Sequence, residues 1–305
     1  EPSVEYYNQV KNALSGFYKL ENVSLNNTNL DGYASLVISN PTDSFSKKEF
    51  DILDKLLSKG KSILITCNKN TFDFITQSPK TINTGIDSWL AKKSIIINND
   101  YVVDQKHSRL QLNIFQSTPF AYYPVLTNFG KHIITEGLET VNMEFTSSVT
   151  FLDSTNTFTP LIRSSNRSAT LPNFRWDGTN KFSYNKSNIT VGGILERQIE
   201  GNFNSSIIIF TDGKFGINGI GRTAKKLAAD NVSLIVNSID YISGKTLLSL
   251  NHLRTREITS RPIKLDLEDS IKTLIKYTNF LLPIFLIIIY GIIRLQLRNK
   301  KRQHW

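Results

Sequence analysis

Cys67 stands directly after the apolar run Ser-Ile-Leu-Ile-Thr at 62–66, where a strand-to-helix elbow would present a catalytic thiol. Its neighbours Thr66, Asn68 and Lys69 lack the glycines that so sharp a turn needs. His107, His132, His252 and His304 are scattered at no spacing that supplies a base. The residues therefore read as a packed cysteine, with an anchored hydrolase as an alternative. A sole cysteine also excludes an intrachain disulfide and a cysteine-cluster metal site. Asp212 opens the turn Asp-Gly-Lys-Phe-Gly-Ile-Asn-Gly at 212–219, where a carboxylate could meet a cation and Lys214 an anion. No second acid follows at a ligand spacing, and an Asp-Gly turn forms without either ion, so no metal is expected. Gly219-Ile-Gly221-Arg-Thr-Ala224 matches the dinucleotide pattern G-x-G-x-x-A, but seven residues separate it from the strand ending at Thr211. The pattern needs its first glycine in the turn leaving the strand, so the stretch reads as a glycine-rich connection and no cofactor is expected.

Ala34–Ser39 and Ser62–Thr66 are short apolar runs bounded by turn residues, which suits buried parallel strands. Between them Ser46 and Glu49 form a capping box, Phe50, Leu53 and Leu57 an apolar helix face, and Gly60 a stop, which completes a βαβ unit. Val4, Tyr7, Val10, Leu14 and Phe17 recur at helical spacing ahead of it. Ile86–Lys92 reads as a short helix, followed by strands at 94–97 and 101–103 around the turn Asn98-Asn99-Asp100. Strands are expected at 158–162, 190–195 and 206–211, with a loop from 164 to 188 and a helix at 223–229. Asn231 is expected to cap a further helix carrying Val232, Ile235, Val236, Ile239 and Ile242. The expected fold is α/β: two Rossmann- or flavodoxin-like, glutamine-amidotransferase-like units with parallel-rich sheets, over residues 1–150 and 151–272. In such sheets a small polar ligand would sit at the carboxyl ends of the strands, near Asn40, Asn68 and Asp212, which gives a second alternative: a ligand-binding module.

Between Tyr277 and Ile293 no residue is charged, and from Phe280 onward the run is almost wholly apolar, so a transmembrane helix is expected over 273–294. Of the formal net charge of +10, five cations (Arg294, Arg298, Lys300, Lys301 and Arg302) lie in the last twelve residues. They place a tail at 295–305 in the cytoplasm and the bulk of the chain outside it. No basic, aromatic-interleaved face precedes residue 294, so nucleic acid is not an expected partner. The chain begins at Glu1 without a signal-like stretch, and a signal or a first membrane helix is expected upstream. Pro283 and Gly291 offer a kink and a close-approach point inside the span. Just before it, Arg254, Arg256 and Arg261 could meet lipid head groups or a partner subunit.

The stretch Val37–Ile65 (VISNPTDSFSKKEFDILDKLLSKGKSILI) resembles the strand, loop, helix and strand of the GldG family of gliding-motility ABC-transport auxiliary components. Thr84–Asp104, Pro119–Thr135, PLIRSS at 160–165, ILERQIEGNFNSS at 194–206, TDGKFGING at 211–219, NVSLIVNSIDYISG at 231–244 and LRTREITSRPI at 253–263 continue in that family's order. Ser58-Lys59-Gly60 carries one glycine where two are common, and Lys214 and Phe215 stand where a second acid often does. The resemblance implies a non-catalytic subunit in the inner membrane, working with a separate permease and a cytoplasmic ATPase in gliding and protein secretion. The chain itself has no G-x-x-x-x-G-K-[ST] loop, so energy would come from a partner.

Overall fold

The computed structural model describes residues 2–26, 29–112, 116–153, 157–175, 182–199, 203–221, 224–244 and 269–302. The chain divides into two compact units, 1–257 and 258–305, so the boundary expected near residue 150 falls inside the first.

The first unit is built on a six-stranded sheet. Its strands in chain order are β1 (Ser35–Ser39) and β2 (Ser62–Thr66), and after the smaller β3 (Asn70–Asp73), β4 (Ser78–Thr81), β5 (Ile95–Ile97), β6 (Tyr101–Asp104), β7 (His107–Gln111) and β8 (Ser117–Leu126) comes β9 (Asn128–Phe129). Beyond β10 (Val141–Asn142) and β11 (Val149–Phe151) follow β12 (Thr157–Arg163), β13 (Ser168–Leu171), β14 (Thr190–Ile199) and β15 (Phe203–Phe210). The sheet order is β1-β2-β15-β14-β12-β9, joining strands from both sides of position 150. β2 is parallel to both its neighbours, whereas β15, β14, β12 and β9 run antiparallel in succession. The sheet is thus mixed where a parallel-rich one was expected. The reason is in the connections: β14 and β15 are separated by three residues, too few for anything but an antiparallel return. β1 and β2 have a full helical crossover, α2 (Lys47–Ser58).

The expected βαβ unit forms as the sequence reads. The Ser46 side chain accepts from the Glu49 N–H while Oε2 of Glu49 accepts from the Ser46 N–H at 2.7 Å, and Leu53, Leu56 and Leu57 are buried. Gly60 takes φ +78° beyond the helix end, a left-handed conformation suited to glycine. β2 is buried along its whole length because both faces of the sheet are covered. Its side chains alternate: Ile63 and Ile65 join the core under α2 and α3 (Ile86–Ala91), and Leu64 joins the core on the other face. There α1 (Asn8–Leu14) contributes Val10 and Leu14, and α4 (Ala229–Ile242) contributes Leu234, Ile235 and Ile239. β15 repeats the pattern, with Ile207 and Ile209 on the first face and Ile208 and Phe210 on the second. A third, aromatic cluster around Tyr101, Phe120, Tyr122 and Phe145 packs β6 against β8.

Three local expectations differ from the structure. Helix is absent from 224–228, where the Leu227 N–H is held by Gln9 Oε1 at 2.8 Å and the Lys225 N–H by the Asn218 carbonyl at 2.7 Å; Thr223 lies outside the described residues. Asn231 is not a cap, because α4 already begins at Ala229. Its amide instead clamps a neighbouring strand, accepting from the Asn142 N–H at 2.9 Å and donating to the Asn142 carbonyl at 2.8 Å. The loop expected over 164–188 includes β13, paired antiparallel with β6.

In the second unit α5 runs from Asp269 to Arg302 without a break at Pro283. The stretch Thr273–Arg298, 26 residues, is long and apolar enough to cross a membrane, and none of its most apolar window is buried within the protein. The helix continues past Arg294 through most of the expected tail, where Leu295, Gln296 and Leu297 are good helix formers.

Candidate functional site

Asn40, Asn68 and Asp212 follow β1, β2 and β15, the three strands that run parallel, so they come out at one edge of the sheet. The structure brings them together around Gly213. The Asn68 Oδ1 accepts from the Gly213 N–H at 2.8 Å, and a Cβ placed on Gly213 would lie 2.6 Å from Asn40 Oδ1. Asn40 itself adopts φ +48°, a left-handed conformation that asparagine tolerates better than most residues.

Sequence reading missed the roof over this edge. Residues 144–147 cross it, and the site's polar groups are spent on holding them. Asn68 Nδ2 donates to the Glu144 carbonyl at 3.0 Å and the Phe145 carbonyl at 3.3 Å. Asp212 Oδ2 accepts from the Glu144 N–H and Oδ1 from the Lys214 N–H, both at 2.7 Å. The Thr211 hydroxyl pairs with that of Thr146 at 2.6 Å and donates to the Ser147 carbonyl at 2.7 Å. Phe145 is held at φ +51°, strained for a bulky residue, with its ring set among Tyr101, Tyr122 and Tyr123.

Electrostatics follow from this closure. Burial, aided by the nearby Glu144 carboxylate, pushes the Asp212 carboxyl up to about 7. The Tyr123 hydroxyl is raised by burial and by Glu144 and Asp212. Cys67 lies beneath, 5% exposed in the core under α2, and burial pushes its thiol up to about 12. At neutral pH it is a packed thiol, not a thiolate. Among the described residues no three His, Cys, Asp or Glu side chains gather as a metal site. Gly219 and Gly221 take φ +84° and +60°, while Arg222, Thr223 and the cations Arg254, Arg256 and Arg261 lie outside the described residues. Gly291 lies within α5, where a Cβ would meet nothing within 4 Å.

The open concavity lies elsewhere, on the flank of the sheet. A cavity of about 530 Å³ is lined by β1 and by residues Tyr18–Val23. Three hydroxyls form a chain at one side: Tyr7 donates to Ser39 at 2.8 Å, and Ser39 pairs with Thr66 at 2.7 Å. Ser35 pairs with Ser243 at 2.8 Å. Tyr7 had read only as part of an apolar helical stripe, and nothing in the local sequence marks its hydroxyl as facing a strand.

Residues 1–242 match the model of a family described as "ABC-type uncharacterized transport system", and the chain belongs to this family of auxiliary transport components. No curated protein matches it. Among solved structures the fold is similar to one titled "mmIFT52 N-terminal domain", at 12% identity and a TM-score of 0.53, over 80% of this chain and 92% of that one. At that identity the likeness is one of fold. Family membership implies, in general terms, permease and ATPase partners.

Proposed function

We propose that the chain is a non-catalytic, membrane-anchored auxiliary subunit of the GldG kind, serving an ABC-type system linked to gliding motility and protein secretion. In this reading the α/β unit lies outside the cytoplasmic membrane, α5 crosses it, and the basic end of the chain lies in the cytoplasm. The observation that carries the reading is the pairing of a family match over 1–242 with a following helix whose apolar window is unburied. The helical stretch Thr273–Arg298, 26 residues and about 39 Å long, is long enough to span a bilayer core of about 30 Å, which supports a membrane crossing. The cations Arg294, Arg298, Lys300, Lys301 and Arg302 at its end favour the cytoplasmic side. Gly291 leaves room for a permease helix to approach closely, and Arg254, Arg256 and Arg261 would meet that permease just outside the bilayer.

The test is co-purification from the native membrane in mild detergent, with a reporter after Trp305 to fix the side of the tail. A permease and an ATPase are expected to accompany the wild-type chain. Gly291→Leu, the combined change of Arg254, Arg256 and Arg261 to Ala, and an exchange of 277–293 for an unrelated membrane helix should each lower their recovery at least several-fold. Unchanged recovery in all three variants would show α5 to be only a tether.

A further inference from the structure

Among the described residues, β1 ends the sheet and pairs with β2 alone. The Asn40 N–H, one residue past the strand, donates to the Thr66 carbonyl at 2.8 Å. Backbone groups in a ladder alternate sides, so Leu36 and Ile38 face β2 as Asn40 does, and Ser35, Val37 and Ser39 direct their N–H and C=O groups away from it. All five residues of β1 line the cavity, together with Tyr18–Val23. The cavity therefore has the outer edge of a strand in its lining.

Side-chain alternation gives the slot two chemically different faces. Leu36 and Ile38 lie with Val23, Leu25 and Phe45 on the side of α2. On the side of α4, Ser35 and Ser39 present hydroxyls that engage Ser243 and Tyr7, with the exposed Val37 between them. An acyl chain or other purely apolar occupant would fill the first face only, and would leave the outward backbone groups of β1 buried without partners, at about 1–3 kcal/mol each. A cavity of about 530 Å³ suits one short extended segment better than the folded sheet edge of a second copy.

We propose that this slot binds an extended peptide segment of a partner protein, which adds a seventh strand beside Ser35–Ser39 and alternates apolar with small hydroxyl-bearing side chains. Five paired residues span about 16 Å, and recognition by strand addition takes its affinity from the backbone and its selectivity from alternate side chains. The inference rests on the cavity and the strand register and is independent of the transport reading.

The probe is the synthetic peptide acetyl-Val-Ser-Val-Ser-Val-Ser-amide, fluorescently labelled and titrated against the full chain in detergent by polarisation. Saturable binding is expected. It should weaken at least tenfold for the same peptide N-methylated at alternate amides, and decanoate should not compete. Val37→Pro removes one outward N–H without touching the bonds to β2, a substitution edge strands accept, and should weaken binding to a similar degree. Circular dichroism checks that the proline variant is folded, and the N-methylated peptide gives the same information without any change to the protein. Equal binding of the methylated peptide, competition by decanoate, or no saturation up to about 1 mM peptide would each overturn the proposal.

Discussion

At the carboxyl ends of β1, β2 and β15, the amide of Asn68 and the carboxylate of Asp212 are saturated by backbone groups of the roof at 144–147 and of the turn at 213–214. Along the outer flank of β1, hydroxyls pair with one another beside a cavity of about 530 Å³. The first region resembles the ligand crevice of an open α/β sheet in position but is filled by the protein's own chain. The second has no place in that scheme and borders a cavity. A polar residue at a strand end thus says where a crevice could be; whether it is vacant depends on which distant segment crosses it.

The sharpest way to break this comparison is Asn68→Ala. The change leaves the buried Gly213 N–H without an acceptor and takes a donor from the Glu144 and Phe145 carbonyls. Orphaning such groups costs about 2–3 kcal/mol, read as a melting temperature lowered by about 5 °C or more for the full chain in detergent. A loss below about 1 °C would mean that the roof does not depend on this amide and that the crevice can open.

The second test is the pH dependence carried by Asp212. With its carboxyl raised from 3.8 to about 7 in the folded protein, the native state binds this proton more tightly than the unfolded chain does. The stability that it contributes is therefore greatest below pH 4 and declines as pH rises towards 7, after which it levels off. Asp212→Asn cannot ionise, so the difference in melting temperature, wild type minus variant, should shrink between pH 5 and pH 8. Groups common to both proteins, such as the buried Asp104, cancel in that difference. A constant difference would show that Asp212 titrates as an ordinary carboxylate and that the roof is wet.

The elements that were legible are the ones whose evidence is local. The capping box at Ser46 and Glu49, the apolar runs of β1 and β2 and the turn at 98–100 all announce themselves within a dozen residues, and each is found. The apolar span before Arg294 is equally plain. What escaped is non-local. No feature of residues 62–66 reveals that Ile63–Thr66 will pair with Ile207–Phe210, and that pairing merges the two expected halves into one sheet. Asn231 has the right residue type and spacing for a cap, but its amide finds a better use 89 positions away on Asn142. Of the site, Asn40, Asn68 and Asp212 could be grouped from strand ends alone. The residues that close over them, Glu144 to Ser147, carry no motif, and the Tyr7 hydroxyl was hidden in an apolar periodicity.

The smallest effect belongs to the open flank. Tyr7→Phe removes the hydroxyl that donates to Ser39 but keeps the ring that packs against the core of α1 and α4. Ser39 still has Thr66 as a partner at 2.7 Å, so the change strands no buried group, in contrast to Asn68→Ala. The cost should be that of one net hydrogen bond at a half-buried site, about 0.5–1 kcal/mol, or a fall of about 1–4 °C in the same melting experiment. The size of the gap between the two variants measures how differently the two regions are built. A Tyr7→Phe loss as large as that of Asn68→Ala would make the flank of β1 a tightly coupled part of the fold, and its cavity an incidental gap instead of a slot that can exchange its own contacts for those of a guest strand.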